Sequence, residues 1–336
     1  MGCPNQCVFC NQRTISGCHT FSAETVECEI EQALATVDPA DDVEIAFFGG
    51  SFTGIDRGLM LRLLETAERF VHSGRVSGIR LSTRPDYIDS EILSILSRFS
   101  VRAVELGLQS LDDEVLRLCK RGHDAKEACD ACRAVVGAGF SLVGQMMIGL
   151  PGSTSESEIF TAKKIVELGA DAVRIYPTVV LRETPLAGMT ERGEYTPLTR
   201  DEAIGRSAAV LRISLEAGIP CLRIGLCDGE ELSSDRQVLA GPHHPALGEM
   251  VWNEIYYENL KTALSRAGLL GTEVLLYLPE REISKYAGHR RCNIERILRE
   301  TDTRIKKIVS MKNSVRIEPQ PWTPTESGQE EKQPCI

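Results

Sequence analysis

Ser141-Leu142-Val143-Gly144-Gln145-Met146-Met147-Ile148 carries no charge and is too continuously apolar for a strand with one wet face. It reads as a strand covered on both sides. Working outward, Val43-Glu44-Ile45-Ala46-Phe47-Phe48 has the same character, and strands are predicted at 43–49, 78–83, 101–107, 140–148 and 171–177. Helical spacing fills the gaps: Val26, Ile30, Leu34 and Val37 share one face before Pro39, and Leu59, Leu63, Ala67 and Phe70 share another. Capping-box patterns at Asp124–Glu127, Ser155–Glu158 and Thr199–Glu202 predict three helix starts. Strand and helix alternate in this way in βαβ units of a parallel sheet, so the fold class is α/β, with a barrel or part-barrel favoured over an open doubly wound sheet.

The chain has 336 residues, 38 basic and 48 acidic side chains, a net charge of −10 and 42% hydrophobic residues. That apolar content builds a core and excludes a wholly disordered protein. No run of eighteen apolar residues and no secretory signal occurs, so a cytoplasmic protein without a membrane partner is expected. Twelve cysteines spread over a large acidic chain read as reduced thiols or metal ligands rather than a disulfide scaffold. Beyond Pro220 the alternation weakens. A core over 1–218, a small α+β C-terminal region over 219–317 and a disordered Pro-rich tail over 318–336 are predicted. Residues 281–316 hold eleven basic side chains against four acidic ones, a local basic face suited to phosphate or to a solvated helix surface.

Chemistry concentrates in Cys3-Pro4-Asn5-Gln6-Cys7-Val8-Phe9-Cys10. Three soft thiolates this close suit an iron–sulfur cluster or zinc, and three ligands on a four-iron cube leave one iron open for catalysis. The residues alone also allow a zinc site completed by Cys18 or His19, or buried thiols. Cys129 and Cys132, with Cys119, read as core packing before a second metal site.

The cysteine run resembles the cluster motif of the radical S-adenosylmethionine superfamily. Phe47-Phe48-Gly49-Gly50-Ser51-Phe52, Ser82-Thr83-Arg84-Pro85-Asp86, Val104-Glu105-Leu106-Gly107-Leu108-Gln109-Ser110, Lys120-Arg121-Gly122-His123, Gly149-Leu150-Pro151-Gly152 and Ile175-Tyr176-Pro177-Thr178 together resemble the radical domain of the Elongator catalytic subunit family, most of all its shorter bacterial relatives. The likeness covers about residues 2–200. It implies a partial (βα) barrel, a 4Fe-4S cluster on Cys3, Cys7 and Cys10, and S-adenosyl-L-methionine cleaved to a 5′-deoxyadenosyl radical with help from an electron donor. It further implies cofactor contacts from Gly49, Gly50, Ser51, Glu105, Gln109, Arg121 and Gln145, and transfer RNA or another structured RNA as substrate.

Arg84, Glu105, Gln109, Gln145 and Arg174 are expected at or near strand C-terminal ends, where α/β barrels place their chemistry. Arg84, Arg174 and Tyr176 are candidates for lining the substrate space. Arg290, Arg291, Lys306 and Lys307 are candidates for phosphate contacts. Two features depart from the family. No acetyl-CoA motif is recognisable after residue 317, so only the radical half of the Elongator reaction is expected. Only Met1 and Gly2 precede Cys3, so the strand that precedes the cluster loop in the family is expected upstream of this chain. The alternative functions are a radical enzyme acting on a small molecule or protein, and a non-catalytic iron–sulfur or zinc redox-sensing module.

Overall fold

The computed structural model describes residues 3, 5–11, 22–38, 41–226, 237–312 and 315–319. Contacts divide the chain into two units, Met1–Val251 and Trp252–Ile336. In the first unit α1 (Val26–Leu34) is followed by β1 (Glu44–Phe47), α2 (Arg57–His72), β2 (Gly78–Thr83), α3 (Ser90–Leu96) and β3 (Val101–Gln109). Next come α4 (Asp113–Leu118), α5 (Ala125–Gly137), β4 (Ser141–Ile148), α6 (Ser155–Glu167) and β5 (Ala172–Pro177). The unit continues through β6 (Val180–Leu181), α7 (Pro185–Glu191), α8 (Arg200–Glu216), β7 (Cys221–Ile224) and β8 (Val238–Ala240), and α9 (Leu247–Arg266) runs across the boundary.

Six strands form one parallel sheet in the order β1-β2-β3-β4-β5-β7. A doubly wound sheet reverses direction at a switch point, whereas this order never reverses. With right-handed crossovers, every helix then lands on one face, and the sheet curls into a half-barrel with a free concave side. Ile79, Leu81, Leu106, Leu108, Leu142, Met146, Ile148 and Ile175 are buried. On β2, on β5 and at the end of β4 these positions alternate with half-exposed ones. Gly144 keeps the outer face of β4 flat, because a Cβ there would lie 2.5 Å from Ile165 Cγ2 of α6.

The expectation of strands buried on both faces needs correction. Arg80 and Ser82, Gln145 and Met147, and Arg174 and Tyr176 occupy alternate, half-exposed positions of β2, β4 and β5. The concave face is polar and partly open along β2, β4 and β5, whereas β3 is buried on both faces from Ala103 to Leu108. Two capping boxes form as predicted, at Asp124 with Glu127 and at Thr199 with Glu202. The third starts one residue earlier, with Thr154 capping and Ser157 reciprocating, because Ser155 is already helical. Glu158 instead turns inward, accepting from Gly149 N at 2.6 Å and from Arg206 Nη2 at 2.6 Å.

β7 and β8 pair with β5 and β6, so the residues expected to open a C-terminal region at 219 belong to the first unit. The second unit holds β9 (Glu273–Pro279), α10 (Ile283–Ala287), α11 (Cys292–Thr301), β10 (Arg304–Met311) and β11 (Arg316–Pro319). β9 is central, parallel to β10 and antiparallel to β11. Its alternating Val274, Leu276 and Leu278 bury against Tyr257, Leu260, Ile294 and Ile297. Residues 318 and 319, assigned to the tail, pair with Leu275 and Val274, since Ile317 draws the strand onto this core. The remaining tail positions, 320–336, lie outside the described residues, as do Cys18 and His19. Among the described residues no helix is long and apolar enough to cross a membrane.

Candidate functional site

The cysteine loop lies against the C-terminal ends of the first three strands. Val8 N donates to Cys119 O at 3.1 Å and Leu186 N to Val8 O at 2.8 Å, which ties the loop to residues following α4 and opening α7. Cys7, Val8 and Phe9 bury with Val115, Leu150, Leu186 and Tyr195. Two of the thiols then meet polar side chains at this rim. Ser51, buried after β1, donates through Oγ to Cys3 Sγ at 3.5 Å, and Asn5 Nδ2 lies 3.9 Å from the same sulfur. Arg84, following β2, and Arg121, following α4, donate to Cys7 Sγ at 3.5 and 3.4 Å.

Both guanidiniums are buried and otherwise engaged. Arg84 grips Asp86 through Nε and Nη2 at 2.8 Å each and donates to Arg121 O, while Arg121 donates to Gly107 O. Burial and the neighbouring Cys7 and Cys3 push the Cys10 thiol up to about 11, with Arg121 and Arg84 pulling the other way. The three sulfurs therefore share one electrostatic environment in which two fixed cations offset thiolate charge.

This donor set suits an iron–sulfur cluster. Hydrogen bonds and charges at the cysteine sulfurs are the means by which a protein tunes such a centre. Among the described residues, no group of three or more His, Cys, Asp or Glu side chains is placed to hold a single metal ion. Cys119 and Cys132 are wholly buried thiols that burial pushes up to about 12, consistent with packing.

Around the loop, the backbone at Gly49 and Gly50 has φ of 95° and 144°, conformations that favour glycine and let main chain approach a ligand. Gln109 closes β3 with φ 67°, beside a register shift between Gly107 and Gln109. Its buried Oε1 lacks a hydrogen-bond partner, as does Arg121 Nε. A strained non-glycine residue with a buried acceptor left open fits a ligand-binding position.

Glu105, Gln145 and Arg174 sit in mid-strand, deeper in the concave face than the strand ends expected for them. They form one network. Glu105, 0% exposed, accepts from Arg80 Nη1 at 3.1 Å, Gln145 Nε2 at 2.9 Å, Arg174 Nε at 2.7 Å and Arg174 Nη2 at 3.2 Å. Arg80 also pairs with Glu44 at 2.6 Å. A Glu105–Arg84 pair does not form, because Arg84 lies beyond the end of β2, held by Asp86 and Cys7, while Arg80 lies within the strand. Arg80 and Glu44 are not singled out by the sequence analysis, and the alternation of Arg80 with Ser82 is the signal that marks Arg80. Tyr176 stands two residues along from Arg174 on the same half-exposed face.

Arg290, Arg291, Lys306 and Lys307 are all exposed in the second unit. Arg290 and Arg291 precede α11 with φ of 50° and 64°. Lys306 pairs with Glu273 at 3.1 Å, Arg296 with Glu254 at 2.5 Å and Arg316 with Glu318 at 2.5 Å. Acidic residues from outside 281–316 thus offset part of that segment's excess charge.

Comparison with known proteins agrees with this geometry. The Radical SAM superfamily model matches residues 1–165, and the Radical_SAM C-terminal domain model matches residues 170–257. The chain is 30% identical over 198 residues to a tRNA uridine(34) acetyltransferase of Methanocaldococcus jannaschii, covering 53% of this chain and 37% of that protein. It is 30% identical over 204 residues to Elongator complex protein 3 of Mus musculus, covering 55% and 37%. Each match thus spans little more than a third of the curated relative's length. Among solved structures, archaeal Elp3 from Methanocaldococcus infernus with an N-terminal deletion superposes with a TM-score of 0.57 at 25% identity, covering 75% of this chain and 61% of that one. With its half-barrel, its cysteine loop at the strand ends and these matches, the chain belongs to the radical S-adenosylmethionine superfamily of enzymes.

Proposed function

We propose that the chain binds a 4Fe-4S cluster through Cys3, Cys7 and Cys10, binds S-adenosyl-L-methionine beside it, and modifies transfer RNA. The observation that carries this reading is the pair of buried guanidiniums, Arg84 and Arg121, on the Cys7 sulfur at the mouth of the half-barrel. Held there, a cluster and S-adenosyl-L-methionine would together supply radical chemistry, given one electron from an external donor.

The chain's own residues hold and aim these groups. Gly49 and Gly50 let the main chain approach the methionine end, and Ser51 steadies Cys3. Gln109 Oε1 and Arg121 Nε offer an open acceptor and donor. Glu105 uses its oxygens on Arg80, Arg174 and Gln145, so it acts on the cofactor by fixing those side chains. The transfer RNA assignment rests on the names of the relatives and on the exposed Arg290, Arg291 and Lys307. Lys306, already paired with Glu273, contributes less.

The test is anaerobic reconstitution, then incubation with S-adenosyl-L-methionine and a reductant, reading 5′-deoxyadenosine by chromatography. Formation by the parent and loss in the triple alanine variant of Cys3, Cys7 and Cys10 support the reading, and no formation by cluster-loaded parent overturns it. A mobility assay with total transfer RNA across a salt series tests the substrate. Affinity should fall with a log–log slope of about −0.7 to −0.9 per neutralised phosphate, and reversing the charges of Arg290, Arg291 and Lys307 should flatten it. Absent or salt-independent binding moves the assignment to a small-molecule or protein substrate.

A further inference from the structure

Phe48 follows β1 directly and is 50% exposed, although phenylalanine is ordinarily buried. The guanidinium of Arg174, in β5, lies 5.4 Å from its ring centroid. In sheet order β1 and β5 are four steps apart, about 19 Å along the sheet at about 4.8 Å per strand. So short a contact must cross the concave side of the curl. Phe48 therefore leans over the mouth of the half-barrel, next to Gly49 and Gly50, with Arg174 beneath it.

Arg174 is not free to retreat. Its Nε and Nη2 are held by Glu105, whose carboxylate is anchored in turn by Arg80 and Gln145. The buried brace thus fixes a cation against an aromatic ring that keeps half its surface open, and Tyr176 shares the half-exposed face of β5 with Arg174. A half-open aromatic face backed by a fixed arginine is the chemistry by which proteins stack unpaired nucleobases.

We propose that Phe48 is the stacking surface for the base of the nucleic acid substrate, presented at the barrel mouth by Arg174. This rests on the RNA reading above. It adds a specific contact for the base, separate from the phosphate contacts of the second unit.

The test compares two end-labelled single-stranded RNAs by anisotropy on the cluster-loaded full chain, one with a central uridine and one abasic at that position. The parent should prefer the uridine strand by about tenfold or more, the range of one stacked base. Phe48→Leu should bring the ratio within twofold of unity, and Phe48→Trp should restore it. Thermal unfolding and the affinity for S-adenosyl-L-methionine are measured on the same preparations. A preference that survives Phe48→Leu overturns the proposal while leaving the RNA reading intact. A tenfold loss of S-adenosyl-L-methionine affinity in Phe48→Leu, restored by Phe48→Trp, assigns the ring to the cofactor's adenine and also overturns it. A parent that binds neither strand refutes the RNA reading, and this proposal with it.

Discussion

Arg121 donates through Nη1 to the sulfur of Cys7 at 3.4 Å, although 114 residues of chain separate them. The contact exists because the parallel sheet brings the residues after β3 and α4 to the same rim as the cysteine loop. A cation fixed beside a thiolate favours the more negative state of whatever that thiolate ligates. Replacing Arg121 by Met should therefore lower the reduction potential of the bound cluster by tens of millivolts. Anaerobic redox titration followed by electron paramagnetic resonance measures it, and an unchanged or raised potential contradicts the role.

Cluster ligation should be confined to the N-terminal thiols. Alanine at Cys3, Cys7 and Cys10 together should abolish visible absorbance and bound iron. Cys129→Ala with Cys132→Ala should retain both, since Cys132 is wholly buried on α5 and no described group of side chains forms a second metal site. Loss of iron in the second variant would reassign the centre.

Gly50 sits at φ 144°, where a β-branched residue is strained whatever space surrounds it. Gly50→Val should retain iron yet lose at least tenfold in 5′-deoxyadenosine formation, because the main chain after β1 can no longer take this path. Parental turnover would place the methionine contact elsewhere.

Glu105 is wholly buried and accepts from two arginines. Truncating it to Ala leaves the Arg174 guanidinium in the half-barrel without its carboxylate, while Arg80 keeps Glu44, at a cost of about 3 to 5 kcal/mol. Thermal or denaturant unfolding reads this directly. A loss under about 1 kcal/mol would mean that water reaches the brace and replaces the carboxylate.

His123 is buried, and burial with nearby Arg121 holds its pKa down at about 4 against an ordinary 6.5. The folded state keeps this ring neutral while the unfolded chain protonates it first. Its contribution to stability is therefore intact above pH 6.5 and is lost as pH falls towards 4, by at most about 3 kcal/mol. His123→Gln should flatten the stability curve over that interval alone. An identical slope in parent and variant would show that the ring charges without cost.

The strands at 78–83, 101–107, 140–148 and 171–177 were legible because apolar side chains must recur where a sheet meets its helices, and each was found within two residues. The cysteine spacing was equally plain, since ligands of one small centre must be close in sequence or be brought together. What the sequence by itself determined was thus the α/β class, the strand positions and the close spacing of three thiols in the first ten residues. Tertiary structure alone decided who partners whom. Glu105 met Arg80 and Arg174 rather than Arg84, Lys306 was taken up by Glu273, and β7 and β8 joined the first unit. The physical reason is that a side chain's strand parity sets its face, but which residue stands opposite depends on register and on the curl of the whole sheet. No local pattern encodes that curl, and it alone brought Phe48 of one edge over Arg174 four strands away.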